Sequence, residues 1–439
     1  MSSVMWFRRD LRLRDNPALQ AALAHGPTTA LFVVDPALWS SAGPGRRAWL
    51  AANVLDLAER IPLTIRYGDA AAVVSQVTED AGAGAVHISA ETTPFGRRRD
   101  AAVGERVDLV ATGSPYAVGP GLVTNGSGGP YQVFSAFARA WRDHGWAAPA
   151  AAPDSPDLAP ADSDPEAVRM LTDAVARAPF ELPHAGEDAA RSRWHAFRDD
   201  GLADYAVERD RPDHDGTSRL SPYLHLGLLH PRTLLAELDP ASTFATELAW
   251  RDFYADVLWH NPGSAWSDLK PALSAMTYDD PDDAIEAWRT GTTGFPIVDA
   301  GMRQLRETGW MHNRVRMITA SFLTKDLHVW WPVGARHFLS LLLDGDIASN
   351  NHGWQWVAGT GTDASPYFRV FNPITQGKKF DPEGDYVRRW VPELRHLEGP
   401  VAHEPWRSEV GHDAGYPLRI VDHAAERVEA LDRYRSARG

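Results

Sequence analysis

The stretch WMHNRVRMITASFLTKDLHVWW (310–331), followed by DGDIASNNHGWQW (344–356) and GTGTDASPYFRVFNP (359–373), sets tryptophans among amides, guanidinium groups and carboxylates. A hydrophobic core needs no such mixture. Helical spacing sorts the side chains. Asn313, Arg316 and Met317 fall at i, i+3 and i+4, so an amide, a guanidinium and a thioether share one face. Asn350 and Trp354, four apart, share a face as well, while Trp356 points roughly to the opposite side. A planar, redox-active ligand between such elements would meet an amide and an indole on one flank and a second aromatic on the other.

Around this stretch the chain divides by pattern. Residues 4–7, 29–34, 63–67, 85–89 and 108–111 are short apolar runs rich in β-branched residues, and between them lie amphipathic segments such as 46–61. That alternation predicts a doubly wound parallel sheet. No G-x-G-x-x-G follows the first strand, so the usual dinucleotide fingerprint is missing, although a small ligand at the carboxyl edge remains compatible. Residues 147–164, AAPAAAPDSPDLAPADSD, have a linker composition, which predicts a long, poorly packed connection. From about Gly186 the pattern turns helical, and most of the 17 tryptophans lie there. The expected architecture is α/β plus all-α: a Rossmann-like N-terminal domain over 1–130, an interdomain linker over 131–185, and a helical domain over 186–439.

Composition narrows the function classes. Hydrophobic residues make up 44% of the 439 and charged residues 23%, as in ordinary globular proteins. With no cysteine there is no disulfide, no thiolate chemistry and no Cys-based metal site. The N-terminal MSSVMWFRRDLRLRD reads as no signal peptide, and no apolar run spans a bilayer, so a cytoplasmic protein without membrane contact is expected. A net charge of −14 means that any nucleic-acid site must be a local basic patch. Generic motifs fail. Asp344-Gly345-Asp346 starts like a calcium loop but misplaces its glycine, and Gly359 to Ala364 is a bare GxGxxA that reads as a turn. Histidines are scattered, so no metal is expected.

Together, TGWMHNR, DGDIASNN, GWQW, GTDASPYFR and FNP resemble the FAD-binding core of the DNA photolyase/cryptochrome family, specifically its class I cyclobutane pyrimidine dimer photolyases. The likeness extends over nearly the whole chain, and it assigns roles to four constellations. Gly216-Thr217-Ser218-Arg219-Leu220-Ser221 has hydroxyls that suit a helix cap or a phosphate; the resemblance implies the FAD pyrophosphate, with Tyr205 nearby. Asp344 and Asp346, at i and i+2, cannot share a helix face and are expected on a loop. The family's pattern places both, with Gly345, Trp310 and Arg316, around the flavin, pairs Asp344 with Arg316, and sets Asn350 beside flavin N5. An asparagine at that position is similar to photolyases, whereas plant cryptochromes carry Asp and insect ones Cys.

The third constellation is Glu247, Trp250 and Arg251, on one helical face. By itself it could be a core tryptophan beside a surface ion pair. The resemblance implies that Trp250 and Trp356 pack on the damaged bases, that Glu247 bonds a pyrimidine edge, and that Asn313 adds a polar contact, with Met317 in the same pocket. Six-four photolyases have histidines at the Asn313 and Met317 positions. Fourth, Arg209, Arg314, Gln376 and Lys378, with Arg369 and Lys379, form a basic set. The first three match positions that touch DNA in the family; Glu247, Trp250, Arg251, Asn313 and Trp356 are expected at the same interface.

By resemblance, the expected reaction is light-driven repair of cyclobutane dimers in single- or double-stranded UV-damaged DNA by electron transfer from excited FADH⁻, carried out by a monomer. The alternative is a cryptochrome-like blue-light signalling flavoprotein without repair activity; a flavin oxidoreductase with a small substrate is a remoter one. Three residues are expected to carry electrons when FAD is reduced. Trp354 and Trp331 match the first two members of the family's tryptophan chain, and an ungapped alignment from AWRTGTTGFPIVDA puts Tyr278 at the third, with Trp330 and Trp288 as neighbouring substitutes. An antenna pigment is expected in the N-terminal domain. Folate-binding members carry a Glu where this chain has Gly96, which favours 8-HDF, with FMN or no pigment as alternatives.

Overall fold

Five runs of aliphatic and β-branched residues become strands β1 (Ser2–Phe7), β2 (Thr28–Val34), β3 (Leu63–Tyr67), β4 (Ala83–Ile88) and β5 (Leu109–Ala111) in the computed structural model, which describes residues 2–153, 156–362 and 368–438. All are parallel, in the order β3-β2-β1-β4-β5. β2 is buried along its whole length. Helices cover both faces of such a sheet, so its strands read as continuous apolar runs and not as alternation. Val4, Trp6, Leu31, Val33, Val86 and Ile88 pack with Val74 and Val77 of the Ala70–Asp80 helix into one core cluster.

Contacts divide the chain into two compact units, neither continuous in sequence. The sheet unit comprises Met1–Asp200, Ser218–Pro262 and Leu343–Ala348; the helical unit comprises Gly201–Thr217, Gly263–Leu342 and Ser349–Gly439. The helical unit has its own core, in which Trp288, Phe295, Phe322, Trp331 and Tyr386 are fully buried. No helix among the described residues is long and apolar enough to cross a membrane.

Within the expected connection over 147–164, residues 157–164 are hydrogen-bonded to the sheet. Thr28 donates its amide to the Asp157 carbonyl at 3.0 Å and accepts from Ala159 at 2.9 Å, so Leu158 bridges β2 just where β3 has not yet begun. Along the free edge of β3, the Ile65 amide donates to Ser163 Oγ at 2.9 Å, the Ile65 carbonyl accepts from Asp164, and the Asp164 carboxylate takes the Tyr67 amide and Arg66. An edge strand has unpaired backbone groups that need partners. A Pro/Ala/Asp-rich segment satisfies them with its own backbone and short polar side chains while none of its described residues is buried, so it is poorly packed, as its composition predicts, yet hydrogen-bonded to the sheet edge. The Pro165–Ala176 helix that follows packs on Pro44–Arg60.

Gly96, where the sequence departs from the folate-binding pattern, lies in the first turn of the Pro94–Gly104 helix, its amide donating to the Thr93 hydroxyl at 3.1 Å. A Cβ there would fall 1.7 Å from Glu91 Cγ. Glu91 cannot easily yield: burial would raise its pKa, but Arg9, Arg8 and Arg99 outweigh that and hold it below the usual carboxylate range. Gly96→Ala should therefore cost about 1–3 kcal/mol by overpacking. Urea unfolding of the two proteins checks this, and an unchanged midpoint would mean that Glu91 moves aside freely.

Candidate functional site

Each unit carries its own share of the candidate residues. In the sheet unit, Ser218 to Ser221 form a tight turn into the Ser221–Leu226 helix, with Arg219 in the left-handed region at φ 51°. The Ser218 carbonyl accepts from Arg193 Nε at 2.8 Å, and its hydroxyl accepts the Leu220 amide at 3.3 Å. The position before the helix is Leu220, and no side chain caps it. The capping alternative therefore fails. The Ser218 hydroxyl, the Arg219 guanidinium and a first helical turn without a side-chain cap form a donor set that suits a pyrophosphate.

Asp344 and Asp346 lie on the loop ahead of the Ile347–Ala358 helix, as expected, and both are buried. Asp344 Oδ2 accepts the Ser221 hydroxyl at 2.5 Å, linking the turn to the loop. Arg9, at the end of β1, donates from Nη2 to Asp346 at 2.8 Å and from Nε to the His225 carbonyl at 3.1 Å. Arg46 reaches the Gly345 carbonyl at 3.4 Å. Burial would lower the Arg9 pKa, but Asp346, Tyr116 and Glu91 together outweigh it and push it above its ordinary value. Tyr116, beside this pair, has its phenol pushed up to about 12 by burial and then by Asp346.

Glu247, Trp250 and Arg251 share the Thr243–His260 helix. Arg251 lies 4.4 Å over the Tyr116 ring and donates to the Pro115 and Leu224 carbonyls at 2.7 and 3.3 Å, so its guanidinium braces the unit. Trp250 is half-buried and lies flat on Phe134, centroids 3.6 Å apart and planes at 8°. Sequence reading missed Phe134. The signal was there, since Phe134, Phe137 and Trp141 recur at helical spacing in Phe134–His144.

In the helical unit, Asn313, Arg314, Arg316 and Met317 open the Asn313–Ser321 helix, capped by His312, which accepts the Arg314 amide at 3.2 Å. Arg316 Nε holds the Met311 carbonyl at 2.8 Å. Trp310 exchanges two hydrogen bonds with Thr308 and meets the His312 ring edge-on. Arg314 donates twice to Asp210 Oδ1, at 3.0 and 2.6 Å, and lies over Phe380 at 4.4 Å. Arg209 is next in sequence to Asp210, with its guanidinium 6.0 Å over Tyr205. Gln376, Lys378 and Lys379 lie on the Pro373–Phe380 helix, started by Asn372, whose side chain accepts from the Ile374 and Thr375 amides at 3.0 Å. Lys379 also stands over Phe380, so Arg314 and Lys379 share one ring. Lys378 is ion-paired with Glu404.

Asn350, Trp354 and Trp356 all lie in the Ile347–Ala358 helix. The Asn350 amide nitrogen donates to the Ala335 carbonyl at 3.2 Å and to Asn351 Oδ1 at 2.8 Å. Trp354 is buried edge-on against Phe338 and Trp288, at 5.0 and 6.0 Å. Trp356 is half-buried, with Arg369 5.8 Å over its ring. Trp331 is fully buried and donates its indole N–H to Asp268 at 2.7 Å, a partner the sequence did not suggest. Half-buried Tyr278 has its phenol pushed well above the ordinary value, by burial and then by Asp268. Trp330 is exposed and its ring centroid lies 6.4 Å from that of Trp331. Gly359 to Thr362 form the expected turn, whereas residues 363–367 of GTDASPYFR lie outside the described residues.

Residues 3–156 match the DNA photolyase family and residues 244–436 match the FAD binding domain of DNA photolyase. The deoxyribodipyrimidine photo-lyase of Streptomyces griseus is 41% identical over 100% of this chain and 99% of that one. A bacterial class III photolyase from Agrobacterium tumefaciens superposes with a TM-score of 0.90 at 35% identity, covering 99% of this chain and 97% of its own. An archaeal photolyase from Sulfolobus tokodaii, solved with two FAD molecules, superposes with a TM-score of 0.86 at 29% identity, covering 99% of this chain and 100% of its own.

The arginine clamp on the 344–346 loop generates its own test. Asp346→Asn leaves the Arg9 charge without its carboxylate and should cost about 3 kcal/mol of stability. Chemical denaturation measures it, and a loss below the error of the titration would show that Arg9 finds water or another partner.

Proposed function

The chain belongs to the DNA photolyase family, and from that premise we propose a class I enzyme that repairs cyclobutane pyrimidine dimers in DNA under light. The observation that carries this reading is identity along the full length to a deoxyribodipyrimidine photo-lyase. Two half-buried tryptophans, Trp250 and Trp356, support it. Indoles left partly uncovered suit stacking on bases, each contact being worth about 1–3 kcal/mol. A flipped-out dimer costs a few kcal/mol to extrude, so two such contacts cover it.

By the family's pattern the segment 217–221, with the Ser218 hydroxyl and Arg219 as side-chain donors, would hold the FAD pyrophosphate, and Tyr205 would lie near it. Asp344, Gly345, Asp346, Arg316, Trp310 and Asn350 would surround the ring system. When bound, FAD in its reduced form supplies the electron that opens the cyclobutane ring and takes it back. The protein's residues need no nucleophile. Glu247, Asn313 and Met317 orient the damaged bases, and the two indoles exclude water from them. Trp354, Trp331 and Tyr278 hand electrons inward when oxidised FAD must be reduced. Asp268 stands ready for the proton that an oxidised indole or phenol releases. Exposed Trp330 is the substitute terminus.

For the antenna we favour 8-HDF over folate, because Glu91 fills the space a side chain at 96 would need. We read the protein as a cytoplasmic monomer acting on single- and double-stranded DNA. The divisions at 130 and 185 remain our reading of the antenna domain, linker and catalytic domain.

Three outcomes test this. Illumination of the FAD-loaded, reduced protein with a dimer-bearing oligonucleotide should restore the bases; FAD binding without repair would favour a signalling protein. Trp354→Phe should abolish photoreduction of oxidised FAD yet leave repair intact after chemical reduction, and Tyr278→Phe should slow photoreduction less. Transient absorption resolves this, and equal tryptophanyl signals with no tyrosyl radical in parent and Tyr278→Phe would remove Tyr278. Arg314→Ala should make the log–log salt dependence of DNA binding shallower by up to about 0.9. Asp210→Asn, which releases that guanidinium, should steepen it. Anisotropy titrations at several salt concentrations read both, and two unchanged slopes would take Arg314 out of the interface.

A further inference from the structure

The Phe134–His144 helix is fastened to Thr243–His260 at three levels. At one end Arg142 donates to the Pro240 carbonyl at 2.9 Å and to Thr246 Oγ1 at 3.0 Å. Beside it the buried Trp141 indole N–H donates to Asp252 at 2.9 Å, and the same carboxylate oxygen accepts the Val118 amide at 3.0 Å. At the other end Phe134, the first residue of its helix, lies on Trp250. No side chain caps the start of the shorter helix, so the ring stack is what holds that end.

The stack is unusual in kind. Free aromatic pairs favour offset or edge-on arrangements with centroids about 4.5–7 Å apart. Here the rings are parallel within 8° at 3.6 Å, which is face on face. Edge-on and tilted contacts surround the pair, Phe253 lying 5.7 Å from each ring and Tyr254 5.3 Å from Trp250. The polar fastening at Trp141 and Arg142, not ring preference, dictates this geometry. One face of the indole is covered, and rotation of the ring would drive it into Phe134 or Phe253.

We propose that Phe134 is a positioning residue for dimer recognition: it backs the Trp250 indole so that a single, fixed face is offered to the damaged bases. The proposal rests on Trp250 lining the dimer pocket. Recognition then gains from preorganisation, because the indole's side-chain freedom is spent on folding instead of on binding. A flat wall also favours a rigid pair of linked bases over the independently moving bases of undamaged DNA. Phe134 thus contributes to discrimination without touching the substrate.

The experiment is a double-mutant cycle on the full-length, FAD-loaded protein, measuring affinity for dimer-bearing and undamaged oligonucleotides of the same sequence. Phe134→Leu and Phe134→Met keep apolar volume and remove the flat ring; each should weaken dimer binding about three- to tenfold, the range an aromatic pair is worth. Affinity for undamaged DNA and FAD content should not change, and Phe134→Tyr should behave as the parent. In a Trp250→Ala background the Phe134 change should have no further effect. If Trp250→Ala weakens dimer binding but neither Phe134 variant does, the proposal is overturned and the pocket stands. Additive losses, or equal losses on both DNAs, would also overturn it, because Phe134 would then act elsewhere. If Trp250→Ala binds dimers like the parent, the pocket assignment itself fails.

Discussion

The ion pair between Arg9 and Asp346 is the constraint on which the sheet unit depends. Neither group is well solvated, with side chains 16% and 8% exposed. Two charges leaving water cost several kcal/mol each unless hydrogen bonds recover it. Arg9 supplies them, to Asp346 and to the His225 carbonyl, with Glu91 3.9 Å away. In doing so it draws together the exit of β1, the Ser221–Leu226 helix and the loop that starts Ile347–Ala358. Ser221 bonding Asp344 closes the same ring of contacts from the other side. Both carboxylates of the 344–346 loop are thus held by the protein's own groups.

Four buried indoles follow a second rule, from which the Trp6 N–H, buried without a partner among the described residues, departs. Trp141 donates to Asp252, Trp331 to Asp268, Trp288 to the Thr319 carbonyl and Trp194 to Glu237. An aromatic ring adds apolar area to a core, but its N–H needs a partner there. At Asp252, which takes the Trp141 N–H, burial raises the carboxyl pKa to about 6. Trp250 and Trp356 depart from the rule by staying half-exposed, although aromatic neighbours or an arginine attend them. Uncovered apolar area on a rigid ring is what a base-stacking site requires.

The basic residues of the helical unit show how local pairing modifies a charge-based expectation. Arg314 shares Phe380 with Lys379 but is held by Asp210, and Lys378 is tied to Glu404. In a chain of net charge −14 such pairs keep the cations ordered and lower the local field that DNA would meet. A phosphate approaching either cation would have to compete with those carboxylates.

The sequence by itself determined whatever is set by near neighbours. Strands buried on both faces read as apolar runs, and each was found within two residues of its expected ends. The helical faces carrying Asn313, Arg316 and Met317, or Asn350 and Trp354, followed from a period of 3.6. Asp344 and Asp346 were legible as a loop because i, i+2 fits no helix face. Only the tertiary structure decided the partners: Phe134 on Trp250, Asp268 on Trp331, Glu91 in the space at Gly96, and residues 157–164 on the sheet edge. None of these pairs is adjacent on a helix face or strand. Each partner is brought in by the path of the chain, and a single polar or ring contact between distant residues leaves no periodic trace in either segment.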